Sequence, residues 1–130
     1  MSTPYRRNIS YSFGGPLTRA VKAIILVNLI AYAIQSFLSP FTEWLALRPL
    51  DVLPWNFQLW RIGTYMFLHA GIGHLFFNML ILYFFGNTLE RRWGTRSFVK
   101  YYFICGLGAA LFCFVPGLGT YSAYTYGASG

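Results

Sequence analysis

The stretch HAGIGHLFFNMLILYFFGNTLERRWG, residues 69–94, decides how the rest of the chain is read. It is almost wholly apolar, with His74 and Asn78 near its start and the charged cluster Glu90-Arg91-Arg92 at its end. Residues four apart share one face of an α-helix. An imidazole and a carboxamide therefore point the same way out of a surface that otherwise suits lipid or a packed helix. Polar groups inside a membrane are costly, so such a pair is a candidate functional site.

The composition around this stretch supports a membrane setting. Of 130 residues, 56% are hydrophobic and only 10% charged, with a mean hydropathy of +0.48. Too few charges exist to cover a water-facing surface, and the expected class is an all-α membrane protein. The net charge of +7 does not argue for nucleic acid, because the bases flank apolar segments and form no stripe among exposed aromatics. Cys105 and Cys113 lie eight apart on one segment, about 12 Å along a helix, too far for a disulfide.

Outward from the central stretch, three spans are expected, at about 23–38, 74–89 and 98–115. Residues 1–22 form a tail with Arg6, Arg7, Arg19 and Lys22. Residues 39–73 form a first loop rich in tryptophan and proline. Within it Phe41, Trp44 and Leu45 have the spacing of a short amphipathic turn, suited to the outer headgroup layer. Gly106 and Ala110 on the third span have the small-xxx-small spacing that permits close helix approach. Bases concentrate in the tail and in the 90–100 connection, which places both in the cytoplasm and the 39–73 loop on the far side. With Glu90 at the inner interface, His74 lies sixteen residues higher, roughly 24 Å at a helical rise. In a core about 30 Å thick that is just below the outer surface, with Asn78 one turn deeper. Ser129, after an outer loop, approaches the same level.

Each polar residue has an ordinary reading beside the chemical one. Gly127-Ala128-Ser129-Gly130 fits a simple turn. It also fits a nucleophile whose own N–H faces the group it attacks, with Gly127 permitting the turn. His74 and Asn78 could merely bridge helices, and Asn28 with Gln35 could line a polar path. Glu90 at a helix end suits an ion pair with Arg91–Arg96, and Trp60-Arg61 suits an interfacial anchor. His69 and His74 are five apart, about 140° around a continuous helix. Neither has a carboxylate or thiolate nearby, so no metal site is expected.

In this order the motifs resemble the rhomboid family of intramembrane serine proteases. They are Trp60-Arg61 in the first loop, His74-x-x-x-Asn78 opening the second helix, Gly86-x-x-x-Glu90-x-x-x-Gly94 closing it, and Gly127-Ala128-Ser129-Gly130 after the third. Any one motif is permissive; four in this order are specific. The resemblance implies a helical bundle of three transmembrane helices with an interfacial first loop, half of a six-helix core. It implies that Ser129 is the nucleophile and that His74 and Asn78, with the Ser129 N–H, form an oxyanion hole. Arg61 and Glu90 would hold the first loop and the second helix end.

The family's general base is a histidine on a later helix, and neither His69 nor His74 matches it. Residues 23–130 are therefore expected to be the N-terminal part of a rhomboid core, inactive as given. The implied activity of the whole is cleavage of transmembrane protein substrates within the lipid bilayer, without metal or organic cofactor. The implied setting is a multi-pass protein with a cytoplasmic N-terminus, as in a bacterial inner membrane. The competing readings are a non-catalytic rhomboid-like protein that binds transmembrane clients and, more remotely, a transporter or channel fragment.

Overall fold

A run of apolar residues after Thr18 forms the first long helix, α1 (Arg19–Phe37). In this computed structural model, which describes residues 15–48, 52 and 57–112, every regular element is helical. The short α2 (Ser39–Leu45) follows, and then α3 (Arg61–Thr64) with a tight helical turn at Tyr65–Phe67. The central stretch forms one long helix, α4 (Ile72–Trp93), and Thr95–Phe112 forms α5. The chain is an all-α membrane helical bundle. By length and composition α1 and α4 can each cross a membrane. The last residues of the third expected span, 113–115, lie outside the described residues, as do Gly127 and Ser129.

Exposure separates the helix faces. Ala20, Val21, Ile24 and Asn28 of α1 face inward, at positions that fall on one helical stripe. Leu26, Val27, Leu29 and Ile30 face outward, as do Phe76, Phe77, Ile81 and Phe85 of α4. Large apolar faces of this extent have no place in water. In lipid they need no covering, because the helix satisfies its own backbone groups.

Two clusters hold the helices together. Ala20, Val21, Ile24 and Phe98 pack with Leu82 and Leu89 where α1, α4 and α5 meet. Leu47, Tyr65, Met66 and Ala110 form the second, joining the first loop to α5. Here the small residues of α5 do something the sequence did not suggest. Gly106 receives the loop turn instead of another span: a Cβ there would collide with the Met66 side chain. The Tyr65 hydroxyl donates to the Gly106 carbonyl at 2.6 Å.

Helix α4 contains a π-helical turn at Leu82–Gly86. Gly86 is buried there, and a Cβ on it would lie 2.9 Å from Val21 Cγ2. Its lack of a side chain is what lets α1 approach. Gly94, with φ of 82°, ends the helix in the left-handed region that favours glycine. The chain then turns directly into α5.

The helices begin earlier than the apolar runs alone indicate. Helix α1 begins at Arg19, where the apolar pattern suggested residue 23, because α4 supplies its cap. Asn87 Oδ1 accepts the Thr18 N–H at 2.9 Å. The Glu90 carboxylate accepts from the Ala20 and Val21 N–H groups, each at 3.0 Å. A helix leaves its first N–H groups without internal partners, and an acidic side chain there also meets the positive end of the helix dipole.

Candidate active site

The site is built at the N-terminal end of α4. Gly71 precedes the helix in extended conformation, and its carbonyl accepts the Leu75 N–H at 3.0 Å. His74 is the third residue of the helix and Asn78 lies one turn on; both are half-buried. Among the described residues no side chain caps this end, so its first N–H groups and the dipole's positive end lie beside His74.

Asn78 lines a mainly apolar cavity of about 470 Å³ between α4 and α5, bordered by Met79, Leu82, Tyr102, Cys105 and Gly106. Its Nδ2 is buried, with no hydrogen-bond partner among the described residues. A buried donor left unpaired is costly. A site that must accept developing negative charge keeps such donors in reserve.

His69 is a member of this cluster that the sequence reading set aside. It precedes α4, so the angle expected of a continuous helix does not apply. The residue is 1% exposed, and its ring meets the His74 ring edge to face, with centroids 5.4 Å apart. Neither ring nitrogen of His69 has a hydrogen-bond partner among the described residues. Burial, and then the charge His74 would carry, push its pKa below the ordinary imidazole value; the nearby Phe67 backbone acts more weakly the other way. The only sequence signal was the spacing of two histidines across two glycines.

The Gln35 side chain fixes the His69 backbone from α1. Gln35 Nε2 donates to the His69 carbonyl at 2.5 Å, and the His69 N–H donates to Gln35 Oε1 at 3.0 Å. Asn28 is fully buried, with its Nδ2 donating to the Ile24 carbonyl at 2.7 Å. These contacts speak against the remote alternative of a polar path along α1. One amide is engaged by its own helix and the other by the loop.

Arg61 lies in the first loop, 5% exposed. Its Nη1 donates to the Glu43 and Ala46 carbonyls, each at 2.6 Å, and its Nε donates to Gln58 Oε1 at 2.5 Å. The guanidinium thus ties α3 to the end of α2. Trp60 is 41% exposed and stacks at a tilt on Trp44, its Nε1 donating to the Trp44 carbonyl at 3.3 Å. At the other end of α4, Glu90 replaces the expected ion pair with a buried cap. Besides the two N–H groups of α1, it accepts from the Thr18 hydroxyl at 2.5 Å and the Thr95 hydroxyl at 2.7 Å. Gly86, Glu90 and Gly94 together make the joint of α1, α4 and α5.

The Rhomboid domain family pattern matches residues 56–130. The chain belongs to the rhomboid family. It is 44% identical over 52 residues to rhomboid-like protease 3 of Toxoplasma gondii, covering 40% of this chain and 20% of that protein. Against rhomboid protease GluP of Bacillus subtilis (strain 168) it is 39% identical over 58 residues, 45% of this chain and 11% of that protein. Against inactive RHOMBOID-like protein 8 of Arabidopsis thaliana the figures are 39% over 57 residues, 44% and 16%. The matched stretch of this rhomboid chain spans no more than about a fifth of these three relatives.

Proposed function

We propose that the rhomboid protein carrying this chain is a serine endopeptidase that hydrolyses peptide bonds in or near the transmembrane segments of its substrates. The observation that carries this reading is the Asn78 amide, one turn below His74, with a buried and unpaired Nδ2 beside a cavity. It is a donor prepared for an anion. Ser129 is the nucleophile in this reading, its hydroxyl attacking the scissile carbonyl carbon. The carbonyl oxygen gathers negative charge as the tetrahedral intermediate forms. His74, Asn78 and the Ser129 N–H donate to it, in a site where low dielectric strengthens each contact. The base that takes the Ser129 proton is a histidine of a later helix, since His74 is engaged as donor.

The protein is multi-pass, with residues 1–22 in the cytoplasm and the 39–73 loop at the outer interface. His74 and Asn78 then open toward the outer leaflet, where a substrate segment can reach them from the lipid. In the full-length protein, Ser129→Ala is expected to abolish cleavage of a reporter transmembrane substrate in liposomes. Unchanged cleavage removes Ser129 from the mechanism.

The similarity to a relative named inactive favours a second reading, a rhomboid-like protein that binds transmembrane clients without cutting them. A fluorophosphonate probe separates the two. Labelling at Ser129 in the full-length form supports the enzyme, and client binding without labelling supports the binder.

A further inference from the structure

The His69 ring is buried and touches His74, yet the protease reading gives it no role. Its backbone is held at both its N–H and its carbonyl by one side chain of α1. A glutamine that spends its whole amide on one residue of a loop fixes that residue in position and orientation. The glycines at 71 and 73 leave the entry to α4 little side-chain bulk of its own; a Cβ at either would meet nothing within 4 Å. The rotamer of His74 at the first turn is thus bounded on this side by the His69 ring and not by the local chain. Aromatic edge-to-face contacts at this separation are favourable as well as restrictive.

We infer that His69, clamped by Gln35, is a positioning residue that sets the orientation of the His74 imidazole in the oxyanion site. The inference rests on the protease reading for its effect on rate, but not for its effect on the His74 ring. An oxyanion donor must lie within hydrogen-bond distance of where the charge develops. A misplacement of about 1 Å can cost a factor on the order of 100 in rate. His69 acts through its shape, so another flat ring in its place retains the function.

The test uses the full-length protein in liposomes with a reporter substrate, and nitrogen-15 resonances of the imidazoles. His69→Ala and Gln35→Leu are each expected to lower kcat by about tenfold or more, with KM within about twofold. Both are expected to broaden or split the His74 ring signals. His69→Phe is expected to keep kcat within about threefold and the His74 signals single. Wild-type kcat and unchanged His74 signals in Gln35→Leu would overturn the inference. So would a loss in His69→Phe equal to that in His69→Ala, which would mean that the imidazole's chemistry and not its shape is used. Should His69→Ala fail to fold, Gln35→Leu and His69→Phe decide the matter. Persistent cleavage by Ser129→Ala would sink the serine mechanism of the protease reading alone, because the His74 resonances are read without turnover.

Discussion

The Glu90 carboxylate accepts the Ala20 backbone N–H at 3.0 Å across 70 residues of chain. With the Val21 N–H and the Thr18 and Thr95 hydroxyls, it is a buried anion whose oxygens are fully engaged. Removing a charge from water is expensive, and only such a set of donors, with a helix dipole aimed at it, offsets the cost.

Glu90→Ala therefore exposes the uncapped start of α1 to an apolar interior. Hydrogen bonds to a charged group contribute about 1.5–3 kcal/mol each, and orphaned buried N–H groups add to the loss. A destabilisation of about 3 kcal/mol or more is expected. Glu90→Gln keeps one acceptor oxygen and should lose roughly half as much. Thermal unfolding in detergent micelles measures both. Equal melting temperatures for Glu90→Ala and the wild type would contradict the cap.

Arg61 holds two backbone carbonyls that no helix satisfies, those of Glu43 and Ala46. Both accept from the single nitrogen Nη1, while Nε donates to Gln58 Oε1; the one ammonium of a lysine cannot span both directions of that fork. Arg61→Lys is expected to cost about 1–2 kcal/mol by losing the Gln58 contact, and Arg61→Ala about 3 kcal/mol by also leaving buried carbonyls unpaired. Proteolysis with chymotrypsin, for which the loop holds several aromatic sites, should cut the first loop faster in both variants, and faster in Arg61→Ala. If Arg61→Lys resists cutting as the wild type does, the fork is not what holds the loop.

His69 carries a pH dependence of stability. Burial, and next the charge at His74, lower its folded pKa beneath the unfolded value of 6.5. Below that value the unfolded chain binds more protons than the folded one, so stability falls as the pH falls. The contribution is complete above the unfolded pKa and is lost as the pH drops toward the folded one. Melting temperature is expected to decline from pH 7 to pH 5, and His69→Phe is expected to flatten that decline. An equally steep decline in His69→Phe would assign the titration to another group.

The helical class, the places of the long helices and the pairing of His74 with Asn78 on one face were all legible in the sequence. Apolar runs of this length are expelled from water wherever they occur, and a spacing of four residues fixes a shared helix face. Span ends were less legible. The start of α1 depends on Asn87 and Glu90, which lie on another helix. The close approach at Gly106 was readable as a small residue, but its partner, the turn bearing Tyr65 and Met66, was not.

What the sequence alone determined is the set of segments that must leave water and the polar residues they carry with them. Which partner each polar residue takes was decided only by the tertiary structure. Glu90 takes the N–H groups of α1, Arg61 takes carbonyls of the first loop, and Gln35 takes the backbone of His69. The reason is physical: a buried donor or acceptor must be satisfied by whatever group packing brings within 3 Å or so, and sequence distance does not enter that requirement.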